Sequence, residues 1–359
     1  MKGRNMITTK EPIKIKEYTM TNHHGMSVTV SSIGAAITSI LVPDRDGRIN
    51  DVVLGFDESI LYFYNWMSFG VVIGPCANRI DKAYFMLNNK RYHLDDNMNG
   101  CTLHSGKRSF QYRIWDSVCY EDEQGSHVVF SIESKHLDLG FPGNRKFSVT
   151  YTLTQDNCLE LSYYAETDED TVMNLTNHSY FNLDGHDAGS VLEHQLYIPS
   201  DKICETDERL VPTGKMLSVE NTRFDFREKR KIGEIPGQTD TSGENCEGYD
   251  TNYEICEKNY LNTRDGIFTN LMLAAELESE KSGRAMRVYT DMPGMQLYTA
   301  LALGDGVGGK SGARYTKNGA VCFETQYFPN AIHIPEFKQP VVKAGQEYNK
   351  RTVFEFYTI

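Results

Sequence analysis

Phe147-Ser148-Val149-Thr150-Tyr151-Thr152-Leu153, then a Gln155-Asp156-Asn157 turn, then Leu159-Glu160-Leu161-Ser162-Tyr163, alternates apolar and polar residues on both sides of the turn. A period of two puts all the apolar side chains of a strand on one face, so this stretch reads as an antiparallel hairpin with one buried face. Tyr84-Phe85-Met86 and Arg91-Tyr92-His93-Leu94 flank Asn88-Asn89 and read as a second hairpin, because Asn tolerates the positive φ of a tight turn. Strand-like runs recur at Met26 to Val30, His127 to Ile132, Met286 to Thr290, Met295 to Leu301 and Val353 to Phe356. The 21 Tyr and 17 Phe suit half-buried pleated surfaces. Helical candidates are few and short, the best around Glu58 to Met67. With no repeat or strong linker, the expectation is an all-β chain: one large antiparallel β-sandwich domain over residues 1–359, whose edges and long loops supply any site.

Composition narrows the function. At 359 residues the length suggests about two domains of roughly 150 residues, but all-β domains often exceed that as single units. A chain with 40% hydrophobic and 24% charged residues is globular rather than disordered. The net charge of −12 argues against nucleic acid or an anionic membrane as partner, since both select clustered Lys and Arg. No apolar run approaches the ~20 residues of a membrane span. The first twenty residues lack the apolar core of a secretory signal, so the cytoplasm is the expected compartment. The eight cysteines include no CxxC pair, and there is no HExxH or EF-hand loop. Free, mostly buried thiols and no tightly bound transition metal are expected. Monomer and homodimer are both left open.

Gly304-Asp305-Gly306-Val307-Gly308-Gly309-Lys310-Ser311 matches the phosphate-loop pattern in full. Phosphate binding there needs a preceding strand, plausible at Gln296 to Leu303, and a helix opening at Lys-Ser, whose dipole faces the anion. Gly312 and the turn residues Lys317-Asn318-Gly319 forbid that helix, and a new β-like run follows at Val321-Cys322-Phe323. A glycine-rich loop is the better reading.

Four polar clusters fall inside or beside strand-like runs: Thr171 to Leu183 with three Asn and His178, Ala77-Asn78-Arg79-Ile80, Leu103-His104-Ser105-Gly106, and Phe323-Glu324-Thr325-Gln326. Asn is depleted in strands, so its repetition requires local hydrogen-bond partners or a ligand. Taken singly, each cluster has a plain structural explanation.

Taken together, they resemble the aldose 1-epimerase (galactose mutarotase) family over nearly the whole chain. The resemblance runs in order through Gly34-Ala35-Ala36-Ile37, Ala77-Asn78-Arg79-Ile80, Leu103-His104, Gly140-Phe141-Pro142-Gly143, Asn174 to Leu183, Gly248-Tyr249-Asp250, Pro293 to Thr299 and Glu324-Thr325-Gln326. It implies a galactose mutarotase-like supersandwich and an enzyme that interconverts the α and β anomers of a free hexose without a cofactor. It implies Glu324 as the general base at the C1 hydroxyl and His178 as the general acid at the ring oxygen. His104 and Arg79 would bind near the ring oxygen, Asp250 away from C1, with Asn78, Tyr180 and Gln296 completing the contacts. Departures from the family pattern stand at Pro75, Cys76, Ser105, Thr251, Ala300 and Asn330, around the expected pocket rim.

One base and one acid suffice for ring opening, each contributing about 10²–10⁴-fold. A nearby Arg79 is expected to keep Glu324 ionised and to disfavour protonation of His178, so that the pair titrates as a coupled set. Three other readings compete: a carbohydrate-binding protein on the same scaffold without chemistry, a hexose-6-phosphate epimerase, and a glycoside hydrolase with Asp250 as second carboxylate.

Overall fold

The computed structural model describes residues 14–235, 246–256 and 270–359; the first thirteen residues of the N-terminal stretch read for a signal lie outside them. The hairpin that opened the sequence reading forms from strands Arg145–Thr154 and Cys158–Thr167, with Val149 opposite Tyr163, Tyr151 opposite Leu161 and Leu153 opposite Leu159. All six enter the principal hydrophobic core. Asn157 takes the left-handed conformation (φ +59°) that a three-residue turn requires. The Asn88-Asn89 turn has positive φ at both residues and joins Tyr84–Leu87 to Lys90–His93, matching the hand of the strand twist.

The first hairpin lies within a nine-stranded antiparallel sheet that also takes in Asp116–Glu121, Gly125–Ser134, Tyr348–Thr358, Arg284–Thr290 and Met272–Glu278. A five-stranded sheet runs in the spatial order Pro212–Ser218, Lys202–Thr206, Asp250–Glu254, Gly294–Tyr298, Cys322–Gln326. A four-stranded sheet spans Glu17–Thr21 to Ile49–Asp51. Val28 and Ile37 from the four-stranded sheet, Val149 and Leu161 from the nine-stranded sheet, and Met295, Leu297 and Phe323 from the five-stranded sheet meet in one core. Burying the apolar faces of layered sheets against one another is the physical basis of the sandwich.

Two expectations are corrected in detail. The segment around Glu58 to Met67 yields only a 3-10 helix, Ser59–Tyr64, with no side-chain cap at Glu58. Asn65 ends it, accepting from the Phe69 amide and donating to the Phe69 carbonyl, both at 2.9 Å, which closes a loop instead of continuing the helix. The run from Met295 stops as a strand at Tyr298, because Ala300 turns to φ +57° and Leu301–Leu303 winds into a 3-10 turn.

The phosphate-loop look-alike is a tight β-excursion, with Val307–Gly308 paired to Arg314–Tyr315. The Lys310 ammonium is buried, donating to Asp51 Oδ2 at 2.7 Å and to the Val53 carbonyl at 2.8 Å. Ser311 sits at φ +53° within a three-residue 3-10 turn. The lysine that would reach a phosphate is thus committed to the protein interior. Among the described residues no helix is long and apolar enough to cross a membrane.

Candidate active site

The five-stranded sheet sets out the site by its register. Asn252 pairs with Gln296 and Gln296 with Glu324; one step along, Asp250 pairs with Tyr298 and Tyr298 with Cys322. Side chains alternate across a sheet, so Tyr253, Met295, Leu297 and Phe323 go to the core. Asp250, Asn252, Gln296, Tyr298 and Glu324 emerge on the opposite face, along a cavity of about 230 Å³.

The His178 segment closes one wall. Its three asparagines hold backbone rather than ligand. Asn174 accepts from the Tyr327 amide at 2.8 Å, and Asn177 donates to the Gly70 carbonyl at 2.8 Å. Asn182 donates to the Gly189 and Gly319 carbonyls. His178, fixed between them, stacks on Tyr180 with ring centroids 5.0 Å apart. The Tyr180 hydroxyl donates to the Met67 carbonyl at 2.8 Å, so Tyr180 both lines the cavity and anchors the imidazole.

A second wall comes from short strands Arg79–Asp81 and Cys101–Leu103, which pair with each other. His104 follows the second of them at φ +50° and Ser105 at φ +64°. The Ser105 hydroxyl accepts from the Cys76 amide and donates to the Cys76 carbonyl, both at 2.8 Å, clamping this left-handed turn. Nδ1 of His104 accepts the Asn78 amide at 3.2 Å. A neutral ring therefore carries its hydrogen on Nε2, which makes His104 a donor toward the cavity.

All eight residues singled out from the sequence line this one cavity: Asn78, Arg79, His104, His178, Tyr180, Asp250, Gln296 and Glu324. The closest approach of acid to base candidate is 3.5 Å, from His178 Nε2 to Glu324 Oε1. Gln296 ties the floor together, donating to Asp250 Oδ1 at 2.6 Å and accepting from Asn78 and Asn252.

Burial dominates the electrostatics. It raises Glu324 well above the carboxylate range, and the negative charge of Asp250 adds to the effect. Burial pulls His178 down to about 4. It also lowers His104 well below the imidazole range, helped by His178 and then Arg79. Asp250 is also raised by burial, opposed by its Gln296 hydrogen bond and by Arg79. The expectation that Arg79 governs Glu324 and His178 is corrected: its charge falls on Asp250 and His104, and desolvation dominates at Glu324 and His178.

His104, His178 and Glu324 place one potential ligand atom each within 4.8 Å of one another, the spacing of a metal triad. The donor set does not fit. With Nδ1 of His104 taken by the Asn78 amide, Nε2 holds the hydrogen and has no lone pair for a cation.

Two further wall residues, Asn252 and Tyr298, escaped the sequence reading. Each lies two positions from a residue already identified, so the strand period alone points to them. Pro75, Cys76, Ser105, Thr251, Ala300 and Asn330 do not line the cavity. Asn330 instead accepts from the Asp81 amide and donates its own to the Arg79 carbonyl, bracing the strand that carries Arg79. The expected placement of these departures on the rim is thereby corrected.

The family model for aldose 1-epimerase matches residues 16–355. The chain is 37% identical to a galactose mutarotase from Bos taurus, over 92% of this chain and 91% of that one. It is 32% identical to an aldose 1-epimerase from Escherichia coli, over 94% of each. A solved aldose epimerase homologue from C. elegans superposes with a TM-score of 0.85 at 29% identity, covering 96% of this chain and all of that one. Sequence, fold and site geometry agree, and the chain belongs to the aldose 1-epimerase family.

Proposed function

We propose that the protein is an isomerase that interconverts the anomers of a free hexose of the galactose or glucose type, with Glu324 and His178 sharing one working proton. The observation that carries this reading is the 3.5 Å approach of the two buried groups beside the hydrogen-bonding side chains of Asn78, His104, Asp250, Asn252 and Gln296 in one cavity.

Burial favours the neutral pair, carboxylic acid beside imidazole. Moving the single proton across to His178 gives carboxylate and imidazolium. In that state Glu324 takes the proton from the C1 hydroxyl, the C1–O5 bond breaks as the carbonyl forms, and His178 protonates O5. The pair is then neutral again. After rotation about C1–C2 the steps reverse: the C5 hydroxyl adds to the other carbonyl face, His178 takes its proton and Glu324 protonates O1. Protons balance with no outside donor, and the elevated basicity of Glu324 suits it to a weakly acidic hydroxyl. His104, a neutral Nε2 donor, supports the developing charge at the ring oxygen. Asp250, held by Gln296, accepts from hydroxyls remote from C1.

A sugar phosphate is the weaker candidate. Arg79 is the only Arg or Lys lining the cavity among the described residues, and it already faces Asp250 and His104. Polarimetry of freshly dissolved α-D-galactose and α-D-glucose, with and without protein, tests the reading. Accelerated mutarotation supports it, and spontaneous rates at micromolar protein refute it.

A further inference from the structure

The segment from Asn174 to Phe181 runs antiparallel to the segment from Val321 to Tyr327. Backbone bonds between Phe181 and Val321 pin one end, and bonds between Asn174 and Tyr327 pin the other. This alignment sets His178 against Glu324, as their 3.5 Å approach shows. Side chains two positions apart share a face, so the next pair along is Thr176 with Gln326. Both are buried at 0% exposure, and neither lines the cavity. The Thr176 hydroxyl, both amide atoms of Gln326, Glu324 Oε2 and His178 Nδ1 all lack a hydrogen-bond partner. They are five of the thirteen buried side-chain polar atoms left unpartnered among the described residues, so the orphans concentrate behind the catalytic pair.

Each buried polar group without a partner costs stability, so five on one face call for a function. The working state of Glu324 is a carboxylate, which burial and Asp250 oppose. The His178 imidazolium offsets that cost at Oε1 alone. The other ionisable groups around Glu324 are Tyr180, Asp250 and Tyr298, Cys322 on its own strand, and Arg79 and His104 on the second wall. None of them donates to Oε2. We propose that Gln326 is a positioning residue: as the proton moves to His178, its amide donates to Glu324 Oε2, while the Thr176 hydroxyl donates to its carbonyl. This inference rests on the shared-proton reading of Glu324 and His178. Same-face neighbours on one strand lie about 6.6–6.8 Å apart along the backbone, a gap that a Gln and a Glu side chain turned toward each other close. The paired position in the sheet is Gly294, which puts no side chain beside the amide. Side-chain rotation alone makes both bonds, and together they satisfy four of the five orphaned atoms.

Gln326→Met keeps the length of the side chain and removes the amide. It is expected to lower kcat on galactose by about 10–100-fold with little change in KM, because it withdraws a hydrogen bond from a charged group. The alkaline limb of kcat/KM moves to higher pH, since a bond to the carboxylate lowers the pKa and its loss raises it, while the acid limb stays in place. Thr176→Val moves the alkaline limb the same way by less, and Thr176→Ser restores it. Infrared difference titration of the buried carboxyl, assigned with Glu324→Gln, reads the same ionisation without substrate. Its midpoint is expected about one pH unit or more higher in Gln326→Met. An unmoved alkaline limb, equal infrared midpoints, or a parent carboxyl that never ionises before alkaline unfolding overturns the proposal while leaving the epimerase standing. If Gln326→Met does not fold, the alkaline limbs of Thr176→Val and Thr176→Ser decide: a difference upholds the proposal and coincidence removes it. If the parent epimerises no sugar, the epimerase reading fails, and the infrared midpoints decide the link from Gln326 to Glu324 alone.

Discussion

Nε2 of His178 lies 3.5 Å from Oε1 of Glu324, with both side chains almost fully buried. They arrive from different elements: Glu324 from the last strand of the five-stranded sheet, His178 from the segment just after the short strand Thr176–Asn177. At that spacing they can address two oxygens bonded to the same carbon.

Removing either group should therefore stop the chemistry and spare binding. Glu324→Gln and His178→Asn are each expected to lower kcat by about 10²–10⁴-fold, with KM within a few-fold of the parent value. Coupled polarimetric kinetics on galactose measure both constants.

The pH profile follows from the proton count. In the proposed mechanism only the singly protonated pair works, so kcat/KM is expected to fall as His178 gains a second proton for the pair, near its depressed value of about 4. It falls again on the alkaline side as Glu324, raised by burial and Asp250, loses the remaining proton. Asp250→Asn removes a negative charge that holds Glu324 up, so the alkaline limb moves to lower pH while KM rises.

Lys310 is structural, not a phosphate ligand. Lys310→Met leaves the half-buried Asp51 carboxylate without its cation and is expected to cost about 1–3 kcal/mol of stability, read by urea denaturation. ATP at millimolar concentration should leave the melting temperature of the parent protein unchanged; stabilisation by ATP would reopen the nucleotide reading.

Ser105 carries both a strained backbone and a hydroxyl that bridges the Cys76 peptide groups. Ser105→Ala keeps the strain and leaves a buried amide unpaired, an expected loss of about 1–3 kcal/mol. Ser105→Gly relieves the left-handed φ and should be the milder of the two. Equal losses in chemical denaturation would show that the backbone conformation carries no cost here.

Much of this was legible in the sequence, and the reasons are specific. The period of two at Phe147 to Tyr163 and the Asn88-Asn89 turn are local signals, and local geometry honours them. The eight site residues were found as a set of ordered motifs, and the register of three strands explains how Asp250, Gln296 and Glu324 share one face. What escaped depends on distance through space. The partner of Arg79 could not be read from its neighbours in the chain, so its influence was assigned to Glu324 instead of Asp250 and His104. Asx-type bonds at Asn65 ended a helix that the apolar pattern favoured. Trp66, Met98 and Leu210, which also line the cavity, escaped for the same reason, since they belong to three separate loops.

The most direct test of the central claim is a crystal structure of the Glu324→Gln variant with galactose bound. The account predicts O1 within hydrogen-bonding distance of residue 324 and O5 within hydrogen-bonding distance of His178 Nε2, with the remaining hydroxyls toward Asp250 and Gln296. A pyranose bound with its anomeric carbon toward Asp250, or with O1 and O5 out of reach of both groups, would contradict it.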